Sequence, residues 1–468
     1  LASETGVPLA PGSGLIRDLA NAEQEAEAIG YPVMLKGTAG GGGIGMALCA
    51  TPEEFKGNFE RVRRLAEANF GNAGIFLEKF FPQARHLEVQ VFGDGQGQAL
   101  SLGVRDCSAQ RRNQKVLEET PPIGVNPETL TYLEESARNL AKGVRYRSAG
   151  TVEFLYDQEL DSFFFLEVNT RLQVEHGVTE LVHGIDLVEW MIRLAQGDTG
   201  MFKDPANPVQ GHAVQARVYA ENPSRNFEPC SGLISQVKFP EQVRWDGWIG
   251  DGTEVTPYYD PLLAKILAHG KDRNEAIQKL EEALHQTEIH GIQTNLEYLS
   301  EWVGKHWSRT DPVHTRSLEN FSFSPRTVEV LRAGTQTTVQ DFPGRLHYWD
   351  VGIPPSGPMD NLSFRLGNRI VGNHNRTAGL EITAVGPRLR FHQSCVISIC
   401  GASAKVHLND KPLDFWQAHE VSEGDLLDLG QVGTHGMRYY LTVSGGLEIP
   451  DYLGSQSTFT LGKFGGHC

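Results

Sequence analysis

Apolar and polar residues along this chain follow two spacings, and the places where they change mark the elements. Residues 23–29 carry a helical spacing closed by Gly30 and Pro32, and "YPVMLKG" reads as a short apolar strand running into glycine. Thr51-Pro52-Glu53-Glu54 is a capping box with proline at the first helical position, and it predicts a helix through Leu65 and Ala66. Strand spacing follows in "GIFLEKF", "HLEVQVFG" and "ALSLGVRD". Asn126-Pro127 opens a helix on which Leu130, Leu133, Ala137, Leu140 and Val144 share a face. "GTVEFLY" and "SFFFLEV", joined by the polar turn "DQELD", predict an antiparallel hairpin. After "HAVQARVYAEN" come strands and loops, then a helix capped at Asp272 with Glu275 three residues on, bearing Ile277, Leu280 and Leu284. "FSFSPRT" reads as a linker. Beyond Arg326 the pattern is all-β, with short runs such as "TVEVLRAG", "CVISICG" and "MRYYLTVSGG" at sandwich or barrel spacing.

The second hairpin strand runs into "FFFLEVNTRLQVEH", residues 163–176, where polar residues occupy every second place. In extended chain Glu167, Asn169, Arg171, Gln173 and Glu175 lie on one face, with Val168, Thr170, Leu172 and Val174 on the other. Glu153, between Val152 and Phe154, takes the equivalent place on the first strand. Two neighbouring carboxylates repel unless a cation sits between them. With Asn169 as a neutral third oxygen they suit Mg²⁺ or Mn²⁺, ions that commonly complete their shell with phosphate oxygens. Arg171 can then clamp a small planar anion and Glu175 can act as a base beside it.

Two further stretches extend this chemistry. "KGTAGGGGIGM", residues 36–46, follows a strand, and its glycines let the backbone aim N–H groups at a triphosphate while Lys36 supplies countercharge. "RDCSAQRRNQK", residues 105–115, concentrates four cations, with Gln110, Asn113 and Gln114 as neutral donors, as an oxyanion pocket requires. Singly, each stretch has a plainer reading: a half-exposed strand, a surface loop, a solvated basic turn. Together they are the parts of a phosphoryl-transfer site: phosphate cradle, charge neutralisation and metal.

Composition narrows the partners. At 468 residues the chain exceeds what one core serves, so two to four domains are expected. Forty-two Lys plus Arg against 58 Asp plus Glu give a net charge of −16, which argues against nucleic acid and anionic membrane. Six scattered cysteines without a CxxC pair suggest neither a disulfide framework nor a zinc site, and a cytoplasmic setting is expected. No apolar run is long enough for a bilayer. The start "LASETGVPLAPGSG" and the end "TLGKFGGHC" read as cut, so a fragment of something longer is expected.

The motifs "YPVMLKGTAGGGGIGM", "RHLEVQVFGDGQG", "RDCSAQRRNQKVLEETP", "FLEVNTRLQVEHGVTE", "HAVQARVYAENP" and "YYDPLLAKI" resemble, in order and spacing, the biotin carboxylase component of biotin-dependent carboxylases, an ATP-grasp family. The resemblance covers about residues 1–316 and lacks the family's first lobe. It implies a lid over ATP from Lys36, Gly40, Gly41, Gly42, Gly43, Gly45 and Met46. Glu78 and Lys79 fall at the adenine edge, and His86, Gln110 and Asn113 near the sugar and phosphates. Glu153, Glu167 and Asn169 match the metal ligands. Lys115, Arg171, Gln173, Val174 and Glu175 match the bicarbonate pocket, with Glu175 as base, and Arg217 matches the arginine that stabilises the biotin enolate. Ile44, Asn113 and Gly177 depart from residues common in the family: arginine, histidine and proline.

"VLRAGTQTTVQDFPGRLHYWDVGIPPSGPMDNLSFRLGNRIVGN", with "AGLEIT" and "ISICGA", is similar to the carboxyltransferase module of the urea carboxylase family, shared with allophanate hydrolase subunit 2. Asp341, Arg345, Asp360 and Asn361 are its polar candidates for a small amide. The chain order implies a urea carboxylase-type enzyme: ATP and bicarbonate give carboxyphosphate, biotin on a carrier domain beyond this chain takes the carboxyl group, and urea becomes allophanate for a fused or separate allophanate hydrolase. Guanidine is the alternative substrate. Another ATP-grasp ligase, or a non-catalytic ATP-binding or regulatory role, are the competing classes. The expected architecture is an α/β (α+β) ATP-grasp region followed by an all-β-rich, cyclophilin-like domain. Its divisions are a lid subdomain at 1–80, a catalytic subdomain at 81–205, a biotin carboxylase C-terminal subdomain at 206–318, a linker at 319–326 and an incomplete carboxyltransferase domain at 327–468.

Overall fold

The computed structural model describes residues 5–16, 18–37, 46–70, 74–203, 207–307, 310–319 and 321–466. The first element is helix α1 (Leu19–Ile29), capped by the Asp18 side chain on Asn21 N and ended at Gly30, whose φ of 79° suits glycine. Strands β1 (Val33–Gly37), β2 (Met46–Cys49) and β3 (Ile75–Lys79) form an antiparallel sheet in the order β2-β1-β3. Helix α2 (Pro52–Phe70) begins at the predicted capping box: Thr51 Oγ1 accepts from Glu54 N, and the Glu54 carboxylate accepts from Ala50 N at 2.8 Å. Phe55, Phe59 and Val62 of α2 bury against Val33, Leu35 and Leu77. The glycine loop lies outside the described residues, and β1 and β2 are its antiparallel flanks.

Most of the polar chemistry rides on one eight-stranded sheet. Its members are β4 (Arg85–Asp94), β5 (Ala99–Arg111), β6 (Gln114–Thr120), β7 (Arg147–Asp157), β8 (Ser162–Asn169), β9 (His212–Tyr219) and the strands Leu262–Gly270 and Arg244–Gly247. From the Arg244–Gly247 edge the order is Leu262–Gly270, β9, β6, β5, β4, β7, β8. The sheet therefore runs without a break across the expected division at residue 205. Helix α3 (Pro127–Gly143), with Asn126 as N-cap, lays Leu133, Ala137 and Leu140 on Leu87, Val89 and Val152. Helices α4 (His176–His183) and α5 (Leu187–Ala195) follow β8. A second core gathers Val214, Ala216 and Ile266 of the sheet with α6 (Arg273–Gln286) and α7 (Leu296–Lys305).

The linker is docked. Phe321 and Phe323 pack on Tyr298 of α7, and Arg326 N donates to Glu297 at 3.0 Å. Beyond it stand two five-stranded antiparallel sheets around Ile382, Leu389, Ile399, Leu427 and Tyr439. The all-β expectation needs one correction there: Asn361–Ile370 is a helix, α8, capped by Asp360 on Ser363 N. The segment is short and carries Gly367 in its middle, a poor helix former, yet it turns Phe364 and Gly367 onto the sheet. Among the described residues no helix is long and apolar enough to cross a membrane.

Candidate active site

Register builds the site from three neighbouring strands. Glu88 on β4 stands opposite Glu153 on β7, and Glu153 opposite Glu167 on β8, so three carboxylates form a row across the sheet. Lys115, on β6, answers them. Its Nζ donates to Glu88 Oε2 at 2.6 Å, Glu153 Oε1 at 2.8 Å and Glu175 Oε1 at 2.7 Å. Glu175 Oε2 accepts from Arg217 at 2.9 Å, and Arg217 Nε donates to Glu118 at 2.5 Å. Glu175 is only 1% exposed, so this carboxylate has left water and is held at both oxygens by cations. Such an arrangement stands only because every buried charge has a partner.

Burial opposes the charge on Glu88, but the Arg105 guanidinium and then the Lys115 ammonium outweigh it and pull the carboxyl from 4.5 to about 2. Burial likewise works against the Glu153 carboxylate, and the His86 and Lys115 side chains hold its pKa well below the usual range. Gln110 Nε2 donates to His86 Nδ1 at 3.0 Å and to Cys107 O at 2.9 Å, which leaves the imidazole proton on Nε2, 3.1 Å from Glu153 Oε2. Burial lowers the pKa of Lys115, but its carboxylate neighbours, Glu88 foremost, raise it far above the ordinary lysine value.

The polar row of residues 163–176 differs from the extended reading. Strand β8 ends at Asn169, Leu166 sits where the register with β7 shifts, and residues 170–175 form a loop into α4. On its outer side β8 is held at Phe165, which bridges Leu9 and donates from its N to Pro8 O at 2.7 Å; beyond Asn169 the strand pairing ends and the chain turns. Glu167 is exposed and Asn169 half-buried; Gln173 and Glu175 are carried back into the interior. Gln173 Nε2 donates to Glu153 Oε1 at 2.8 Å. Arg171 stays exposed, its guanidinium donating only to the carbonyl of its neighbour Leu172 among the described residues.

The basic run 105–115 is also dispersed. Arg105 turns into the core, donating to Glu88, Gln90, Thr179 and Thr151. Arg111 pairs with Glu221 at 2.5 Å and lies over the Phe227 ring, and Arg112 bonds Asn226. Arg112 and Asn113 make the hairpin turn, with φ of 50° and 64°. Lys115 is the cation of this run bonded to Glu88, Glu153 and Glu175 together; Arg105, opposite Glu88 in register, shares that face but pairs with Glu88 alone among the three. Sequence reasoning passed over Glu88, and took Arg105 only as one cation of the basic run. The signal for Glu88 was a lone carboxylate between Leu87 and Val89, the same pattern that singled out Glu153.

Glu153, Glu167 and Asn169 fit a divalent cation in donor chemistry. The Asn169 amide lies 2.9 Å from Glu153 Oε1 and 3.2 Å from Glu167 Oε1, so one side-chain amide already bridges two hard carboxylates. Among the residues expected at the nucleotide, Lys36 pairs with Glu78, and Lys79 is taken up by the carbonyls of Gly30 and Tyr31 at 2.8 and 3.0 Å. Gly40, Gly41, Gly42, Gly43 and Gly45 lie outside the described residues; Met46, just beyond them, is exposed.

Residues 1–200 match the family described as Carbamoyl-phosphate synthase L chain, ATP binding domain, and residues 215–320 the Biotin carboxylase C-terminal domain. The biotin carboxylase domain of Hydrogenobacter thermophilus 2-oxoglutarate carboxylase, solved with MgADP and bicarbonate, superposes with a TM-score of 0.63 at 38% identity. The match covers 68% of this chain and 71% of that one. The chain belongs to the biotin carboxylase family. Beyond this biotin carboxylase region, residues 351–468 match the Carboxyltransferase domain, subdomain A and B. Along its whole length the chain is 48% identical to the urea amidolyase of Lachancea kluyveri, of which it spans 26%. The Kluyveromyces lactis urea carboxylase structure matches 83% of this chain and 34% of its own, at 48% identity and a TM-score of 0.79.

In the carboxyltransferase region, Asp341 and Arg345 have inward-facing partners. Asp341 accepts from Ser455 and Ser457 hydroxyls at 2.5 Å each, and Arg345, 1% exposed, donates to the carbonyls of Tyr452, Ser455 and Ser457. Asp360 caps α8, and Asn361 is exposed on its first turn. Arg345→Leu should therefore act on the fold, stripping three carbonyls, two of them on the buried Ser455 and Ser457, of their donor at a cost of about 3 kcal/mol. A denaturant titration of the full-length protein followed by tryptophan fluorescence checks this; an unchanged transition would refute it.

Proposed function

We propose that this chain carries the carboxylating half of an ATP- and biotin-dependent urea carboxylase, in which bicarbonate is activated as carboxyphosphate and the carboxyl group passes by way of biotin to urea, giving allophanate. The observation that supports it most is the buried Glu175 carboxylate clasped by Lys115 and Arg217 beside the Glu88–Glu153–Glu167 row. Glu175 takes the proton from bicarbonate, and the freed carboxylate oxygen attacks the γ-phosphorus of ATP as ADP leaves. Lys115 and the exposed Arg171 supply the charge that draws bicarbonate in, and Arg217 faces the developing anion on the acceptor side. A divalent ion held by Glu153, Glu167 and Asn169 would neutralise the phosphates; Mg²⁺ is the expected ion and Mn²⁺ a substitute. The substrate rests on the likeness to urea amidolyases over the whole chain.

The test is ADP release by the full-length protein with Mg²⁺, bicarbonate and biotin, adding urea or guanidine in turn. Turnover that needs bicarbonate and rises with urea is the expected result. Stimulation by guanidine alone would change the substrate, and turnover indifferent to bicarbonate would refute the carboxylase reading.

A further inference from the structure

Outside the residues already assigned, a half-buried ionic network that reaches the turn before Glu175 lies on the far strands of the sheet. Lys265, on Leu262–Gly270, stands in register opposite Arg217 of β9 on one side and Asp246 of Arg244–Gly247 on the other. Its side chain is 9% exposed. Nζ donates to the backbone carbonyl of Val174 at 2.8 Å and pairs with Asp246 Oδ2 at 3.2 Å. Asp246 also holds Arg244, which reaches Glu180 of α4 at 2.7 Å.

The two register neighbours thus grip consecutive residues of one turn, Arg217 by the Glu175 carboxylate and Lys265 by the Val174 carbonyl. That turn needs an outside hold. Helix α4 begins directly after Glu175 with no side-chain cap on its N-terminus. Its first turn also sits close on the strand beneath: a Cβ at Gly177 would lie 2.5 Å from Leu267 Cδ2, and the Lys265 ammonium is 3.6 Å from the same point. A Lys265 ammonium is costly to bury, and here its bond to Val174 O places the loop that delivers Gln173 to Glu153 and Glu175 to Lys115.

We propose that Lys265, steadied by Asp246, is a positioning residue for the bicarbonate pocket: it fixes the Val174 carbonyl and so sets where Gln173 and Glu175 point. This rests on the reading of Glu175 as the base. Lys265 touches no reacting atom; it acts through the turn.

The experiment compares Lys265→Met, Lys265→Arg and Asp246→Asn in the full-length protein, with bicarbonate-dependent ADP release, KM for bicarbonate and for ATP, and thermal unfolding measured for each. Lys265→Met should raise the bicarbonate KM or lower kcat roughly 10–100-fold with little change in the ATP KM, because a small displacement of a reacting group is costly. Lys265→Arg, which keeps a cationic donor, should recover most of the loss, and Asp246→Asn should show a smaller loss of the same kind. A folded Lys265→Met protein with wild-type bicarbonate kinetics would overturn the proposal. So would a loss shared equally by both KM values, accompanied by a lowered melting temperature and no rescue by arginine. If Lys265→Met does not fold, Asp246→Asn decides: a selective bicarbonate defect supports the proposal and its absence overturns it. A wild-type enzyme whose ATP turnover ignores bicarbonate would instead overturn the functional reading on which the proposal rests.

Discussion

Glu175→Gln is expected to lower bicarbonate-dependent ATP cleavage by about 10²–10⁴-fold, the usual worth of a positioned general base, while nucleotide binding stays close to wild type. The substitution keeps the shape and one acceptor oxygen but removes the charge and the basicity. The fold should survive it: Lys115 keeps Glu88 and Glu153 as partners, and Arg217 keeps Glu118. Steady-state ADP release with and without bicarbonate, beside nucleotide calorimetry, separates the two effects. A variant that retains wild-type bicarbonate-dependent turnover would remove Glu175 from the chemistry.

Lys115→Met should be harsher, because one ammonium serves three carboxylates. Taking it away leaves Glu88, Glu153 and Glu175 facing each other in a buried space, and breaking a buried ionic cluster in this way costs about 3–5 kcal/mol. The effect also has a pH signature. The Glu88 carboxyl is depressed from 4.5 to about 2 in the folded protein, so its contribution to stability is present above about 4.5 and is lost as pH falls through about 2. Without Lys115 one of its two main cationic partners is gone, the folded-state value rises, and acid unfolding should begin at higher pH. Circular dichroism titrated from neutral to acid pH reads the midpoint for both proteins. An unshifted midpoint, or a variant as stable as wild type, would refute the account of Lys115 as the hub of this cluster.

These two results bear on residues that differed in legibility. Glu153 and Glu167 could be paired from the sequence because they sit on a hairpin whose turn is short, so one strand dictates the register of the next. Glu175 could be reached only through the polar row and the family resemblance, and the row itself was half right. Its first members lie on β8, and its last are brought inward by a loop that strand periodicity does not describe. Glu88 had the same local pattern as Glu153 but no adjacent partner in sequence to draw attention to it. The run 105–115 looked like a single basic surface; three of its four cations are used up by Glu88, Glu221 and Asn226.

By itself the sequence determined the local elements and their limits: the capping boxes at Thr51 and Asp272, the Asn126-Pro127 helix start, the β7–β8 hairpin, and the order of motifs that placed the chain among biotin carboxylases. The physical reason is that caps, turns and amphipathic spacing act over a few residues and leave their mark there. Only the tertiary structure decided that β4, β6, β7 and β9 lie close enough for Lys115 to meet Glu88, Glu153 and Glu175, and for Arg217 to close the other side. It also decided that Lys265 reaches a carbonyl 91 residues away. Alternation tells which face of its own strand a side chain takes; which strand comes to lie beside it is set by packing of the whole sheet, and no local pattern carries that information.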